Sequence, residues 1–101
     1  MKIFWTKEAL LRLQEIEEYI SKDNTIVAAE FVDKLISVAE TIIDNPEKGR
    51  VVPELSLEKI RELIHKNYRI VYLVKKNSID ILTVFEGHQQ LKKEEIFKSK
   101  N

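Results

Sequence analysis

The sequence contains no cysteine, only two glycines and two prolines, and no uninterrupted apolar run longer than the five residues Ile70 to Val74. Without cysteine, disulfide frameworks, cysteine-ligated zinc and thiol nucleophiles are excluded. Two isolated glycines cannot form the glycine-rich loop that cradles the phosphates of a dinucleotide cofactor. A membrane helix needs roughly 20 apolar residues, and charged residues interrupt the segment where a signal peptide would lie. We therefore expect a cytoplasmic protein with no membrane segment and no small-molecule cofactor.

The chain has 101 residues, of which 44% are apolar and 34% charged, as is typical of one folded domain over residues 1–101. Its net charge is zero, yet residues 1–49 carry 6 basic and 10 acidic side chains while residues 50–101 carry 11 and 7. Such an asymmetry can place a basic face on the second half of the chain, although solvated, acid-rich helices would give the same counts. The zero net charge therefore does not exclude an anionic target.

The first half of the chain has the period of two amphipathic helices, preceded by a short apolar strand at residues 1–5. Thr6 is suited to cap the first helix and Asn24 or Thr25 the second. The first helix has its apolar face at Ala9, Leu13, Ile16 and Ile20. The second has its apolar stripe at Ala28, Phe31, Val32, Leu35, Ala39, Ile42 and Ile43. About three polar residues separate the two helices, and Asn45-Pro46 ends the second, so an antiparallel helical hairpin is predicted.

After a loop over residues 46–58 the period changes to two, which predicts strands near Leu63–Ile64, over 68–75 and over 79–86, followed by a short helix over 91–100. One face of the last two strands is expected to pack on the helices: Tyr68, Ile70, Tyr72, Val74, Ile79, Ile81, Thr83 and Phe85. The other face is expected to be open to a partner, with the apolar centre Val71, Leu73, Leu82 and Val84. The predicted fold is α+β, a helical hairpin on a mostly antiparallel four-stranded sheet.

Few residues of the sequence are suited to metal binding or catalysis. His65 and His88 are the only imidazoles and lack the spacing of a metal site, so no metal is expected. No serine lies in a G-x-S-x-G context.

A cationic cluster remains: Arg50, Arg61 and Arg69, with His88 expected beside Arg69. Arginine suits bidentate phosphate contact, and a neighbouring histidine can transfer a proton near neutral pH. The cluster could therefore bind an RNA backbone and stabilise charge at a scissile phosphate. The competing interpretation is cross-strand ion pairing, of Arg69 with Glu86 and of Arg61 with Glu58 or Glu62.

Several short motifs occur together in a fixed order. They are Phe4-Trp5-Thr6, Pro46-x-x-Gly49-Arg50, Ile60-Arg61-Glu62-Leu63, Tyr68-Arg69-Ile70-Val71-Tyr72 and the segment Ile81 to His88. In this combination the chain resembles the RelE/ParE superfamily of bacterial toxins from type II toxin–antitoxin (plasmid stabilisation) systems, over roughly residues 1–90. The resemblance implies the fold described above and a cognate antitoxin that silences the toxin. It also implies one of two activities: cleavage of mRNA in the ribosomal A site, or poisoning of DNA gyrase.

The resemblance also suggests roles for individual residues. Arg69 matches the strand arginine that contacts the scissile phosphate in ribonuclease members, and Arg50 and Arg61 match positions common in ParE-like members. His88 falls where many members have a histidine or a basic residue. The candidate catalytic set is therefore Arg69, His88 and Arg61, and the candidate phosphate- or target-binding set is Arg50, Arg61 and Arg69.

Other positions depart from the ribonuclease pattern. Gln89 and Gln90 replace expected basic residues, while Glu62 and Glu95 stand where, or near where, one ribonuclease subgroup has a lysine and a tyrosine. These replacements remove candidate groups for acid–base chemistry and favour a ParE-like growth inhibitor. A ribosome-dependent mRNA interferase and a non-toxic binding protein are the alternatives. Whether the chain is an enzyme stays open; if it is, it is an endoribonuclease.

Overall fold

The computed structural model describes residues 1–87, which form two helices against one sheet. The elements are β1 (Lys2–Trp5), α1 (Lys7–Ser21), α2 (Thr25–Glu40) with a 3-10 turn at Thr41–Ile43, β2 (Arg50–Val51), β3 (Ile60–His65), β4 (Tyr68–Val74) and β5 (Ser78–Glu86). The strand order is β1-β5-β4-β3-β2, with β1 parallel to β5 and every other pair antiparallel. The α+β prediction is confirmed. The predicted helix over 91–100 lies outside the described residues.

The sheet has five strands rather than the predicted four. The extra strand is β2, whose two residues Arg50 and Val51 pair with Glu62 and Arg61 of β3. A two-residue strand carries too little alternation to be distinguished from a loop by its sequence. Its pairing depends on β3, a segment ten residues later in the chain.

Both helices begin where their capping residues predict. The Thr6 hydroxyl accepts a hydrogen bond from the Ala9 amide at 3.1 Å, and the Asn24 side chain accepts one from the Val27 amide at 2.9 Å. Each cap satisfies an amide that the first helical turn leaves without a partner. Asn24, rather than Thr25, is therefore the cap of α2.

The main core lies between the helical hairpin and one face of the sheet. Its buried members include the predicted stripes of both helices together with strand residues: Ala9, Leu13, Ile16, Val32, Leu35, Ala39, Ile42, Leu63, Ile70, Tyr72, Ile79, Ile81 and Val84. Burial of this apolar area, at about 25 cal/mol per Å², is the main stabilising contribution to the fold.

A β-bulge changes which β5 side chains face the helices. Tyr72 pairs with Ile81, but Val71 pairs with Thr83, so Leu82 is an extra residue on β5. Beyond a bulge the alternation of the strand is shifted by one residue. The prediction for this face is therefore correct for Ile79 and Ile81 but wrong for Thr83 and Phe85, whose expected place in the core is taken by Val84.

The opposite face of the sheet is not open at its centre, as the sequence suggested. The segment between β2 and β3 contributes Val52 and Leu55 to a second buried cluster with Ile60, Val71, Leu82 and Phe85. Only Leu73, of the predicted apolar centre on this face, keeps partial exposure. A loop without regular alternation gave no indication that it packs on the sheet.

Over residues 1–87, neither helix has the length and apolar character needed to cross a bilayer.

Candidate functional site

The three central motifs of the sequence meet at one place in the structure. Hydrogen bonds connect residues of P-x-x-G-R, I-R-E-L and Y-R-I-V-Y across β2, β3 and β4. We call this group the three-motif junction, and its members are Pro46, Gly49, Arg50, Arg61, Glu62, Arg69 and Tyr72. Because neighbouring residues of a strand point to opposite faces, the junction has one side facing the helices and one side facing away from them.

On the helix-facing side, the junction is organised by the hydroxyl of Tyr72. That hydroxyl accepts a hydrogen bond from the Gly49 amide at 2.9 Å and donates one to the Pro46 carbonyl at 2.8 Å. Arg61 lies opposite Tyr72 in the sheet and donates from Nη1 to the Gly49 carbonyl at 2.9 Å. Burial raises the pKa of Tyr72, although the Gly49 hydrogen bond and the charge of Arg61 act in the other direction. These contacts hold the start of β2 against β3 and β4.

Gly49 is required here by close packing. A Cβ at this position would lie 2.5 Å from the Glu62 carbonyl oxygen and 2.6 Å from the Tyr72 hydroxyl oxygen. Real Cβ atoms do not approach a backbone oxygen so closely, so any larger residue would push β2 away from β3. The glycine of P-x-x-G-R therefore has a structural role.

On the side facing away from the helices, the centre of the junction is a buried carboxylate. The Glu62 side chain is 0% exposed, and its two oxygens accept hydrogen bonds from Arg50 Nε and Arg69 Nε, both at 2.6 Å. A buried carboxylate needs such partners because desolvation without them costs several kcal/mol. Sheet register creates this arrangement, since Arg50 lies directly opposite Glu62 and Arg69 lies diagonally across from it on β4.

The remaining donors of Arg69 are also engaged. Nη1 and Nη2 make a two-pronged contact with the carboxylate of Glu54, each at 2.8 Å, and the guanidinium lies 4.9 Å from the ring centre of Phe85. The pKa of Arg69 is raised, foremost by the hydrogen bonds that it donates to Glu54, against the opposing effect of burial and with a further contribution from Glu62. At 8% exposure, this guanidinium is fixed in one orientation and its charge is matched by two carboxylates.

The structure brings two of the predicted site residues together and places a third on the opposite face of the sheet. Arg50 and Arg69 come together through Glu62, whereas Arg61 points to the opposite face of the sheet. Arg50 is the exposed member, since 58% of its side chain is accessible. His88 lies outside the described residues. The catalytic and phosphate-binding roles of these residues stay predictions.

The competing interpretation was cross-strand ion pairing. Arg69 does form ion pairs, but with other carboxylates than the one predicted. Arg69 lies opposite Phe85 in the register and pairs with Glu54 and Glu62 rather than with Glu86. Arg61 bonds a backbone carbonyl instead of either predicted glutamate. Glu62 bonds the two other arginines.

Sequence reasoning missed Glu54 as a partner of Arg69 and assigned Glu62 to Arg61 rather than to Arg50 and Arg69. Glu62 is a charged position within an otherwise apolar strand, and alternation places it on the same face as Val71, which was a usable signal. Glu54 lies in a loop, at Pro53-Glu54-Leu55, and no local pattern indicates that it reaches Arg69. Within residues 1–87, no group of three histidine, aspartate or glutamate side chains is placed to hold a metal ion.

Comparisons with known proteins agree on one family. The family model described as the ParE toxin of the type II toxin–antitoxin system parDE matches residues 3–91. Y4kP of Sinorhizobium fredii, provisionally named as a toxin, is 35% identical over 91 residues, covering 88% of this chain and 91% of that protein. A chain from the chromosomal ParDE system of P. aeruginosa superposes with a TM-score of 0.72 at 20% identity, covering 85% of this chain and 95% of its own, and so supports the fold. The chain therefore belongs to the ParE toxin family of type II toxin–antitoxin systems.

Proposed function

We propose that this toxin inhibits bacterial growth by acting on DNA gyrase in the cytoplasm, and that a cognate antitoxin neutralises it by direct binding. Membership of the ParE family supports the toxin role and the antitoxin partner. The choice of a protein target over RNA rests on one observation, which is that the guanidinium of Arg69 is already bound by two carboxylates.

A ribonuclease acting through 2′-hydroxyl attack needs a cation that is free to bind the scissile phosphate. In this chain Arg69, the residue that matches that position, uses Nε for Glu62 and both terminal nitrogens for Glu54. A phosphate would have to displace two carboxylates from a buried guanidinium, at a cost of several kcal/mol. This arrangement favours a structural role for Arg69 and a toxin that recognises a protein.

Arg50 is the member of the junction best placed to contact a target. Its Nε is held by the buried Glu62, while more than half of its side chain faces solvent. A guanidinium oriented in this way loses little side-chain entropy on binding, and arginine is common among residues that dominate protein interfaces.

The first experiment is induction of the toxin in a heterologous bacterium, with and without its antitoxin. We expect growth arrest that co-expression of the antitoxin relieves, inhibition of supercoiling by purified gyrase, and no new cuts in cellular mRNA by primer extension. Cuts within codons and unaffected supercoiling would instead support the mRNA interferase. Unimpaired growth at confirmed soluble expression would contradict both toxic activities and leave a non-toxic binding protein.

The role of Arg50 is tested by Arg50→Gln. Lys34→Gln, on the exposed side of α2, is the control for the loss of one positive charge, and urea denaturation of both variants checks the effect of losing the Arg50 ion pair with Glu62. We expect Arg50→Gln to raise the toxin concentration needed to inhibit gyrase by about tenfold, and Lys34→Gln to leave it unchanged. Equal inhibition by both variants and the wild type would remove Arg50 from the target-binding surface.

A further inference from the structure

One residue of the motif Phe4-Trp5-Thr6 has no role in the fold described above. Trp5 and Ile3 pack against the main core, and Thr6 caps α1. Phe4 lies on the other side of the sheet, because neighbouring residues of a strand face opposite sides, and 54% of its surface is accessible. The packing of the sheet therefore does not explain why this position is aromatic.

Phe4 is one end of a strip of half-exposed apolar side chains on the face away from the helices. In the register of the sheet, Asp80 of β5 lies opposite Phe4 on one side and opposite Leu73 of β4 on the other. Leu73 in turn lines a depression of about 330 Å³ together with Leu57 and Ile60. Apolar side chains that continue across three strands and a loop, with charged residues around them, are typical of a surface that contacts another molecule.

Four exposed lysines lie at the same end of the sheet as this strip: Lys2, Lys59, Lys75 and Lys76. Sheet pairing brings them together. The Val74 amide donates to the Lys59 carbonyl, the Lys75 amide donates to the Ser78 carbonyl, and Lys2 lies opposite Ser78. The lysines therefore form a row across four neighbouring strands, a width of roughly 14 Å at about 4.8 Å per strand. We call this row the basic end of the sheet.

The lysines of the basic end outnumber the carboxylates beside them. Lys75 pairs with Asp80 at 2.7 Å, and Glu58 precedes Lys59 in the chain. Within residues 1–87, the other three lysines form no ion pair. The helices on the opposite face are acidic, since α1 and α2 together carry three basic and seven acidic side chains. This separation of charge would turn the basic end toward an anionic partner.

The combination of lysines and an apolar strip suits duplex DNA better than a protein partner. Lysine is depleted in protein interfaces, whereas a DNA duplex carries one negative charge per about 1.7 Å of its axis, so a row of lysines across four strands can face several phosphates. Several proteins that bind the minor groove also place apolar side chains, such as phenylalanine and leucine, against the base steps. Gyrase, the proposed target, acts on DNA, so a duplex is present where the toxin would bind.

We infer that the basic end of the sheet binds duplex DNA, with Lys2, Lys59 and Lys76 at the phosphates and Phe4 against the bases of the groove. The duplex is the one on which gyrase acts, so the toxin contacts the enzyme and its DNA together. This inference rests on the proposed function for the identity of the duplex and adds a second contact to it.

The first test measures binding of the purified toxin to a short, fluorescently labelled DNA duplex by anisotropy, between about 50 and 200 mM salt. The basic-end variant carries Lys59→Gln and Lys76→Gln. The control carries Lys22→Gln and Lys34→Gln, which remove the same charge from exposed positions on the helical side. Each phosphate contact contributes about 0.9 to the slope of log affinity against log salt, so we expect the basic-end variant to lower this slope by about 2 and the control to leave it unchanged. Equal slopes for both variants and the wild type would overturn the inference.

Phe4→Ala tests the apolar contact separately from the charges. Because stacking of an aromatic ring on a base does not involve counterions, we expect affinity to fall about fivefold or more at every salt concentration while the slope stays the same. Ile64→Ala, at a residue of β3 that is 55% exposed, is the matched control and should bind DNA as tightly as wild type. Far-UV circular dichroism checks that each variant is folded. Wild-type affinity of Phe4→Ala would overturn the contact assigned to Phe4.

Competition experiments identify the class of ligand. We expect unlabelled DNA duplex to displace the labelled duplex at a lower concentration than either a polyglutamate peptide or single-stranded RNA. More effective displacement by polyglutamate would indicate an acidic protein partner, and more effective displacement by RNA would indicate an RNA ligand. Either result would overturn the assignment of DNA.

An assay with purified gyrase separates this inference from the proposed function. We expect the basic-end variant to need about tenfold more toxin than wild type to inhibit supercoiling. A wild-type toxin that inhibits gyrase but binds no DNA would overturn the inference and leave the proposed function standing. A wild-type toxin that binds DNA through the basic end without inhibiting gyrase would overturn the proposed function and leave the DNA-binding surface standing.

Discussion

The two faces of the sheet are stabilised by different interactions. The face under the helices is a continuous apolar core in which Leu35, Ile70 and Tyr72 are fully buried. The other face combines a smaller apolar cluster with a buried carboxylate, Glu62, and the guanidinium of Arg69. Apolar packing tolerates repacking, whereas a buried charge requires each of its partners. The second face should therefore be the more sensitive to loss of a single side chain.

The largest expected effect is that of Arg69→Ala. It leaves Glu62 with Arg50 alone, removes both hydrogen bonds to Glu54 and deletes the contact with Phe85, so we expect a loss of about 3–5 kcal/mol in the free energy of unfolding. Urea denaturation measures this loss.

The control for that experiment is Arg12→Ala. Arg12 forms its ion pairs with Glu8 and Glu15 on the exposed surface of α1, where such pairs contribute about 0–1 kcal/mol. Equal losses for the Arg69 and Arg12 variants would show that burial does not distinguish the two faces in the way described above.

Gly49→Ala should have the next largest effect, because its Cβ would meet the Glu62 carbonyl on β3. Overpacking at such a contact costs about 1–3 kcal/mol, and separation of β2 would also loosen Arg50. Thermal unfolding measures the cost, with Gly87→Ala for comparison, since a Cβ there would lie 3.2 Å from the Asn67 carbonyl oxygen, a tight contact but a less severe one. A Gly49→Ala protein as stable as wild type would mean that β2 is not held by this approach.

The smallest expected effect is that of Tyr72→Phe, which removes only a hydroxyl. The Gly49 amide and the Pro46 carbonyl lose their partner, and we expect a loss of about 1–2 kcal/mol at neutral pH.

The same variant tests a pH dependence. Burial raises the pKa of Tyr72 in the folded chain, so its contribution to stability is fully present below about pH 10, the ordinary value, and is lost as the pH rises through the higher folded value. Tyr72→Phe should therefore lose less stability than wild type between neutral and strongly alkaline pH, as followed by denaturation with absorbance of tyrosinate. Parallel pH profiles would contradict this. Tyr68, whose pKa burial also raises, contributes to the alkaline loss of stability in both proteins.

The difference between the two faces of the sheet also explains which predictions from the sequence are confirmed. Helix caps at Thr6 and Asn24, and the apolar stripes of both helices, depend on residues three or four positions apart, so local patterns reveal them. The motifs around Gly49, Glu62 and Arg69 carried the resemblance to the family, and in this structure they meet in one set of contacts. Two of the candidate site residues, Arg50 and Arg69, come together at these motifs through Glu62. Their partners could not be predicted from the sequence, because they come from segments far apart in the chain.

By itself, the sequence determined the helical hairpin, the alternating strands, the α+β class and membership of a toxin family. Tertiary structure alone decided that Leu82 forms a bulge, that Val52 and Leu55 cover the second face, and that Glu54 and Glu62 engage Arg69. The physical reason is how far apart in the sequence the interacting residues lie. Periodicity and capping are interactions within a few residues, whereas strand register, loop packing and the partners of a buried charge depend on which distant segments the fold brings together.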